Sequence, residues 1–239
     1  MSTPRTARAL ARETLTRAIL DAARARLRTE GPAGLSLRAV ARDVGMVSSA
    51  VYRYFPSRDA LLTALLVETY GELGDAVEVA EAAVARDDLG GRWLAACRAL
   101  REWCVAHPGD FALLYGTPVP GYAAPQDTVE PATRVVRVLV AIVGDAHAAG
   151  LRPAPRPDGV ADPADLVAGA LSFVVAHGLV APDAPTEAVV RTLMAWTELF
   201  GTVSFELFGH LVGSVADYPR WFDHVAARLA ADLGIAVRL

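Results

Sequence analysis

Three features of the chain predict an all-α protein. Apolar residues recur at three- and four-residue spacing in almost every long segment. The hydrophobic share, 53%, is carried largely by Ala, Leu and Val, with only 7% aromatic residues. Proline and glycine gather at intervals, as punctuation between helices does. At 239 residues the chain can bury a full core. The length allows one large or two small domains.

Residues 1–12 read as a disordered basic arm, either touching phosphates or simply solvated. A first helix is expected over about 13–29, with Leu15, Ile19, Ala22, Ala23 and Leu27 on one face and Gly31-Pro32 closing it. Leu37, Val40 and Ala41 then give an inward stripe, and Ser36 stands where it can cap the exposed N–H groups. Gly45 supplies the backbone freedom to end that helix and begin another. The next helix buries Met46, Val51 and Phe55 and turns Ser48, Ser49, Tyr52 and Arg53 the other way. Two short helices across a glycine turn, the second exposing small polar groups, a phenol and a guanidinium, are what major-groove reading requires.

From Ser57 a long helix is expected to about residue 85, with Leu61, Leu62, Leu65, Leu66, Thr69, Tyr70, Leu73 and Val77 at helical spacing and Asp59 in its first turn. A helix over about 90–106 follows, with Trp93, Cys97, Leu100 and Cys104 as its stripe. His107-Pro108 breaks it, and Phe111, Leu114 and Tyr115 mark a short helix. The Pro-rich stretch 116–131 is long for a connection and suits either a pocket wall or a surface crossover. Further helices are expected over 132–149, over Leu166–Ala181, over Val189–Val212, and around Trp221, Phe222, Val225, Leu229 and Leu233, with a second Pro-rich connector from Gly150 to Pro163. The Leu166–Ala181 and Val189–Val212 segments are apolar on more than one face, so they are buried in the core or against a partner.

The net charge of −4 hides an asymmetry: residues 1–60 carry eleven arginines against five acidic residues, a balance of +6, and the remainder carries −10. A basic head on an acidic body suggests a polyanion partner at one end. Every basic residue is Arg, with no Lys. Cys97 and Cys104 lie seven apart on one helix, about 10 Å along it, too far for a disulfide between them. They read as small core residues in a reducing compartment. The longest apolar run is too short and too interrupted for a membrane span, and Arg5, Arg8, Arg12 and Arg17 interrupt any secretory signal. A cytoplasmic protein is expected.

Enzyme chemistry finds no footing. His107, His147, His177, His210 and His224 never pair at metal-ligand spacing, and there is no Gly-rich phosphate loop and no nucleophile elbow. No metal or cofactor is expected. His177, beside Phe173 on an apolar helix, reads as a core histidine before a catalyst.

The segment VARDVGMVSSAVYRYFPSRDALL resembles the DNA-binding domain of TetR/AcrR-type bacterial transcriptional regulators. Val40, Ala41, Val44, Gly45, Met46, Tyr52, Tyr54, Phe55, Arg58 and Leu61 fill the family pattern in order. Val47 departs from it, standing where the family usually has a capping Ser or Thr, a role open to Ser48. The WTELFG segment at 196–201 is similar to the Trp-His-Gly signature of one C-terminal subclass, with Phe200 in place of the His.

The resemblance implies a helix-turn-helix domain over 13–58 and a ligand-binding and dimerisation domain over 59–239. It implies a homodimeric regulator, usually a repressor, on a palindromic double-stranded operator, released by a small apolar effector. The DNA-facing set is Ser36, Arg38, Ser48, Ser49, Ala50, Tyr52, Arg53, Tyr54 and Arg58. Within it, Arg38, Ser48, Ser49, Ala50 and Arg53 match base-reading positions; Tyr52, Tyr54 and Arg58 match phosphate positions. Trp93, Trp103, Phe111, Tyr115, Phe173, His177, Trp196 and Phe200 are candidates to line an effector pocket, or are core. Two rival readings are an architectural DNA binder without effector and a helical ligand-binding protein that no longer reads DNA.

Overall fold

Five of the described helices begin where the sequence supplies a side-chain oxygen to meet their first N–H groups. The computed structural model describes residues 6–31, 34–180 and 185–239, and the described residues hold ten α-helices, one short 3-10 helix and no strand. Thr6 Oγ1 accepts from the Ala9 N–H at 3.3 Å and opens α1, Ala7–Glu30. Ser36 Oγ accepts from Ala39 at 3.2 Å for α2, Leu37–Asp43, followed by α3, Ser48–Val51. Ser57 Oγ accepts from Ala60 at 3.0 Å at the start of α4, Arg58–Ala82. Asp88 meets the Gly91 N–H at 2.8 Å in the first turn of α5, Leu89–Ala106. Then come α6, Pro108–Tyr115, with Pro at its first position where no N–H is needed; the 3-10 turn Gln126–Thr128; α7, Val129–Ala148; α8, Ala168–Ala176; and α9, Thr186–Leu207. Asp217 caps α10, Tyr218–Asp232, through Arg220 at 3.0 Å.

Three boundaries differ from the sequence reading. The arm at 1–12 is helical from Ala7, because Thr6 caps it and an Ala-rich stretch favours helix without needing an apolar face; its first five residues and Pro32 lie outside the described residues. The helix expected over Leu166–Ala181 shrinks to Ala168–Ala176; Ala181 itself lies outside the described residues. That short helix buries only Val174, and Leu166 is 87% exposed. Its apolar character therefore reflects a surface rather than a core. The helix expected to reach Val212 ends at Leu207, and 208–217 form a turn-rich loop with left-handed Gly209 and Gly213.

The chain forms two compact units. The first gathers the chain up to Gly71 together with His107–Ala132. Its core is Ile19, Leu20, Ala23 and Leu27 of α1, Leu37, Val40 and Ala41 of α2, Val51 and Phe55, and Leu61, Leu62, Leu65 and Leu66 of α4. The 107–132 segment, which the sequence reading gave to the C-terminal domain, packs Leu113, Leu114, Val119 and Tyr122 against this core. Polar contacts fasten it. Asp110, 1% exposed, pairs with Arg24 Nε at 3.0 Å and accepts from Arg28 Nη2 at 2.9 Å. Tyr122 and Thr63 share a hydroxyl hydrogen bond of 2.9 Å, and the Tyr70 and Tyr115 rings meet edge to face.

The second unit holds Glu72–Ala106 and Thr133–Leu239. Trp93 of α5 is fully buried, and its Nε1–H donates to the Ala226 carbonyl of α10 at 2.9 Å, which satisfies the one polar atom an indole brings inside. Phe222 of α10 is buried with it. Arg92 is buried between Glu81 and Asp145, and Arg101 grips Glu206 of α9 through two hydrogen bonds. Cys97 and Cys104 are buried free thiols, and burial pushes Cys104 up to about 12. α8 rests on α7 and α9 through a small cluster of Val140, Val174 and Val189.

Candidate nucleic-acid interface

The turn between α2 and α3 follows from hydrogen-bond geometry. Gly45 adopts φ +67°, its N–H donates to Arg42 O at 3.2 Å, and the Met46 N–H donates to Ala41 O at 2.8 Å. This paired closure is the Schellman arrangement, and it needs a left-handed residue that Gly supplies without penalty. The space around Gly45 is open, so the constraint is conformational, not steric. Val47 opens α3 without a side-chain cap; Ser48 begins the helix instead of capping it, so the replacement cap expected of Ser48 does not form. The α-helical turn tightens past Val51, where Arg53 and Tyr54 N–H groups donate to residues three earlier.

Val51 and Phe55 seal the underside of α3 into the core of the first unit, with Met46 partly buried beside them. That anchoring decides what faces out. Ser49, Tyr52 and Arg53 are exposed, Tyr52 at 46%, while Ser48, Ala50 and Tyr54 are half-buried. Arg38 is exposed on α2. Ser36 is exposed too, but its hydroxyl is engaged in capping. Arg58 is half-buried, and its Nε–H donates to Leu35 O at 3.1 Å, which braces the α4 start against the segment before α2. All nine expected DNA-facing residues thus lie on or beside α2, α3 and the start of α4.

The electrostatics are one-sided. Between Ser36 and Arg58 the sequence holds a single carboxylate, Asp43. Arg26 of α1 grips both its oxygens, and the Arg26 hydrogen bonds hold the Asp43 carboxyl below the usual aspartate range. The acid is paired, and Arg38, Arg42 and Arg53 stay exposed. Sequence reasoning missed one member of this neighbourhood. The Arg12 guanidinium of α1 stands 5.3 Å over the Tyr54 ring. The Thr6 cap ahead of an Ala-rich run was the signal for it.

The eight residues expected around an effector are distributed over both units. Phe111 and Tyr115 stack on each other in the first unit. In the second, Trp93 and Trp103 are buried on α5, Trp196 and Phe200 meet edge to face on α9, and Phe173 stacks on His177 at 4.1 Å on α8. His177 is exposed, with Nδ1 2.8 Å from Phe173 O, and so is not the core histidine the sequence suggested. The second unit also carries an open groove of about 940 Å³, lined by Arg98, Leu211, Val215, Trp221, His224 and Leu239 among others, none of them in the expected set. Among the described residues no group of His, Cys, Asp and Glu could hold a metal ion, and no helix is long and apolar enough to cross a membrane.

Known proteins resemble the chain over both its N-terminal and its C-terminal parts. Residues 19–65 match the profile of bacterial regulatory proteins of the tetR family, and residues 93–229 match the tetracyclin repressor-like C-terminal domain. HTH-type transcriptional regulators of Mycobacterium bovis and Mycobacterium tuberculosis are each 42% identical over 202 residues, covering 83% of this chain and 83% of their own. A crystal structure of a protein classed as regulatory superposes with a TM-score of 0.72 at 34% identity, over 96% of this chain and 100% of that one. A protein of unknown function from Rhodococcus superposes with a TM-score of 0.64 at 26% identity, over 92% of this chain and 93% of that one.

Proposed function

The chain belongs to the tetR family of bacterial regulatory proteins, DNA-binding transcriptional regulators rather than enzymes, and on that premise we propose that it is a homodimeric, effector-released repressor acting in the cytoplasm. The observation that carries this reading is the face of α3. Val51 and Phe55 pin the helix, so Ser49, Tyr52 and Arg53 have no role in the core and are exposed, as is Arg38 of α2. In this reading Arg38, Ser48, Ser49, Ala50 and Arg53 read base edges, and Tyr52, Tyr54 and Arg58 hold phosphates, with Ser36 adding its backbone position.

The homodimer is supported by α8 and α9. Met194 and Phe205 of α9 and Phe208 just past its end are exposed at 59%, 54% and 53%, on the side that carries Gly201. α8 adds Gly169, Val175 and Ala176. Small residues let a second copy approach closely, and aromatics fill the contact. Two-fold symmetry then makes the operator palindromic. The effector is a small apolar molecule held in the C-terminal domain, with Trp103, Trp196 and Phe200 the foremost of its candidate contacts. It favours a spacing of the two heads that does not fit DNA, so effector and operator weaken each other equally.

Selection of binding sites from random duplexes, followed by anisotropy titration at about 150 mM salt with competitor DNA, tests the reading. A palindromic consensus bound tightly through competitor is the expected result. Weak binding that competitor erases removes the DNA-reading role and leaves a helical ligand-binding protein. Tight binding that no apolar small molecule in a screened panel relieves removes the effector and leaves an architectural binder.

A further inference from the structure

The family profile begins at residue 19, yet α1 begins at Ala7. About three turns of helix, some 18 Å, therefore precede the part of α1 that the family shares. This extension does not exist to be buried. Ala7 through Leu15 are all exposed, Leu10 at 49% and Leu15 at 37%. A helix of that kind persists only through its cap, its Ala content and its continuity with the buried turns that follow.

Arg17 ties the inner end of the extension to Glu68 of α4, and a second contact, further out, is with the segment that follows the reading helix. Arg12 stacks its guanidinium over Tyr54, three residues past Val51 at the end of α3. Arg8 lies one turn further out on the same face, about 6 Å along the axis. Neither guanidinium has a carboxylate partner among the described residues. The adjacent acid, Glu13, points about 100° away around the helix from Arg12. Two arginines in a row, held beside α3 and unneutralised, form a short positive rail.

We propose that this rail is a second DNA contact: Arg8 and Arg12 grip backbone phosphates flanking the major groove that α3 enters. The proposal rests on the DNA-reading role argued above and extends its footprint outward. Guanidinium groups on phosphate add affinity and register but no base discrimination. The contact should therefore tighten binding to any flanking sequence and leave the consensus alone.

The test compares the full chain with an Arg8→Gln, Arg12→Gln double variant on the selected operator, once with about ten flanking base pairs on each side and once trimmed to the half-sites. The slope of log K against log salt is the readout. Each phosphate contact contributes about 0.9 to that slope. With both arginines of both protomers engaged, the variant should lose roughly 3.6 on the long duplex, select the same consensus, and match the wild type on the trimmed one. Circular dichroism identical to the wild type checks that the substituted residues, all exposed, leave the fold intact. Equal slopes and affinities on the long duplex would overturn the proposal alone. A wild type that binds no duplex tightly would overturn the DNA-reading role and this contact with it.

Discussion

α3 and α8 are both short helices that hang from the protein by a single fully covered valine, Val51 in one and Val174 in the other. Each turns most of its surface outward. Their outward faces differ in kind. Around α3 stand Ser49, Tyr52 and Arg53, with the neighbouring acid Asp43 tied up by Arg26. Around α8 stand Gly169, Val175 and Ala176, continued on α9 by Met194, Phe205 and Phe208. An exposed helix face is a statement about its partner. Donors and cations fit a polyanion that keeps its water and ions nearby, whereas small and apolar residues fit a protein surface that excludes water. The underside differs too: α3 sits on a large continuous core, and α8 sets Val174 against only two other buried valines, Val140 and Val189, with a fringe of half-buried neighbours.

The comparison can be broken at four places, from the largest effect down. Val51→Asp places a carboxylate where no solvent reaches, and should cost the head more than about 4 kcal/mol; a thermal melt that retained the wild-type transition would show that α3 is not held by its underside. Met194→Arg leaves the fold intact but sets a charge in the proposed contact between copies, worth at least about 2 kcal/mol per interface. Sedimentation should then show monomer where the wild type is dimer, and an intact dimer would move the interface elsewhere. Arg53→Ala should cost operator affinity about 1–3 kcal/mol and relax one base position, with no change in sedimentation. If the loss is equal across all sequences, Arg53 is a phosphate contact.

The smallest effect concerns Asp43. Its carboxyl is held below the ordinary range by Arg26, so its stabilising pairing is complete above the unfolded value of about 3.9 and is lost as the pH falls through the lower folded value. Asp43→Asn should remove that acid-limb contribution from urea melts between pH 5 and 3. An acid limb unchanged by the substitution would show that the Arg26 pairing carries no stability.

Much of this was legible in the sequence, for local reasons. Ser36, Gly45 and Ser57 act within four residues of themselves, and the Trp93, Cys97, Leu100, Cys104 stripe is a property of one helix, so periodicity and turn chemistry reveal them. What stayed hidden is non-local or ambiguous in kind. The helix over 7–12 has no apolar stripe and reads as a tail. The apolar residues of α8 look the same in sequence whether a core or a second copy covers them. The attachment of 107–132 to the first unit depends on Asp110 meeting Arg24 and Arg28, more than eighty residues away, which no spacing rule reports. For the effector set the sequence supplied aromatic residues at helical spacing, and such stripes pack cores as readily as they line pockets.

That Asp110 attachment bears on any attempt to cut the protein into modules. A fragment ending at Arg58, or even at Gly71, would retain Arg24 and Arg28 while discarding the carboxylate they share, and would strip Leu113, Leu114, Val119 and Tyr122 from the side of the core they cover. The first compact unit is therefore discontinuous along the chain. Chimaeras that graft this head onto another regulator's body by splicing within α4 must carry residues 107–132 across as well, or supply a foreign α6 with an acid at the place of Asp110.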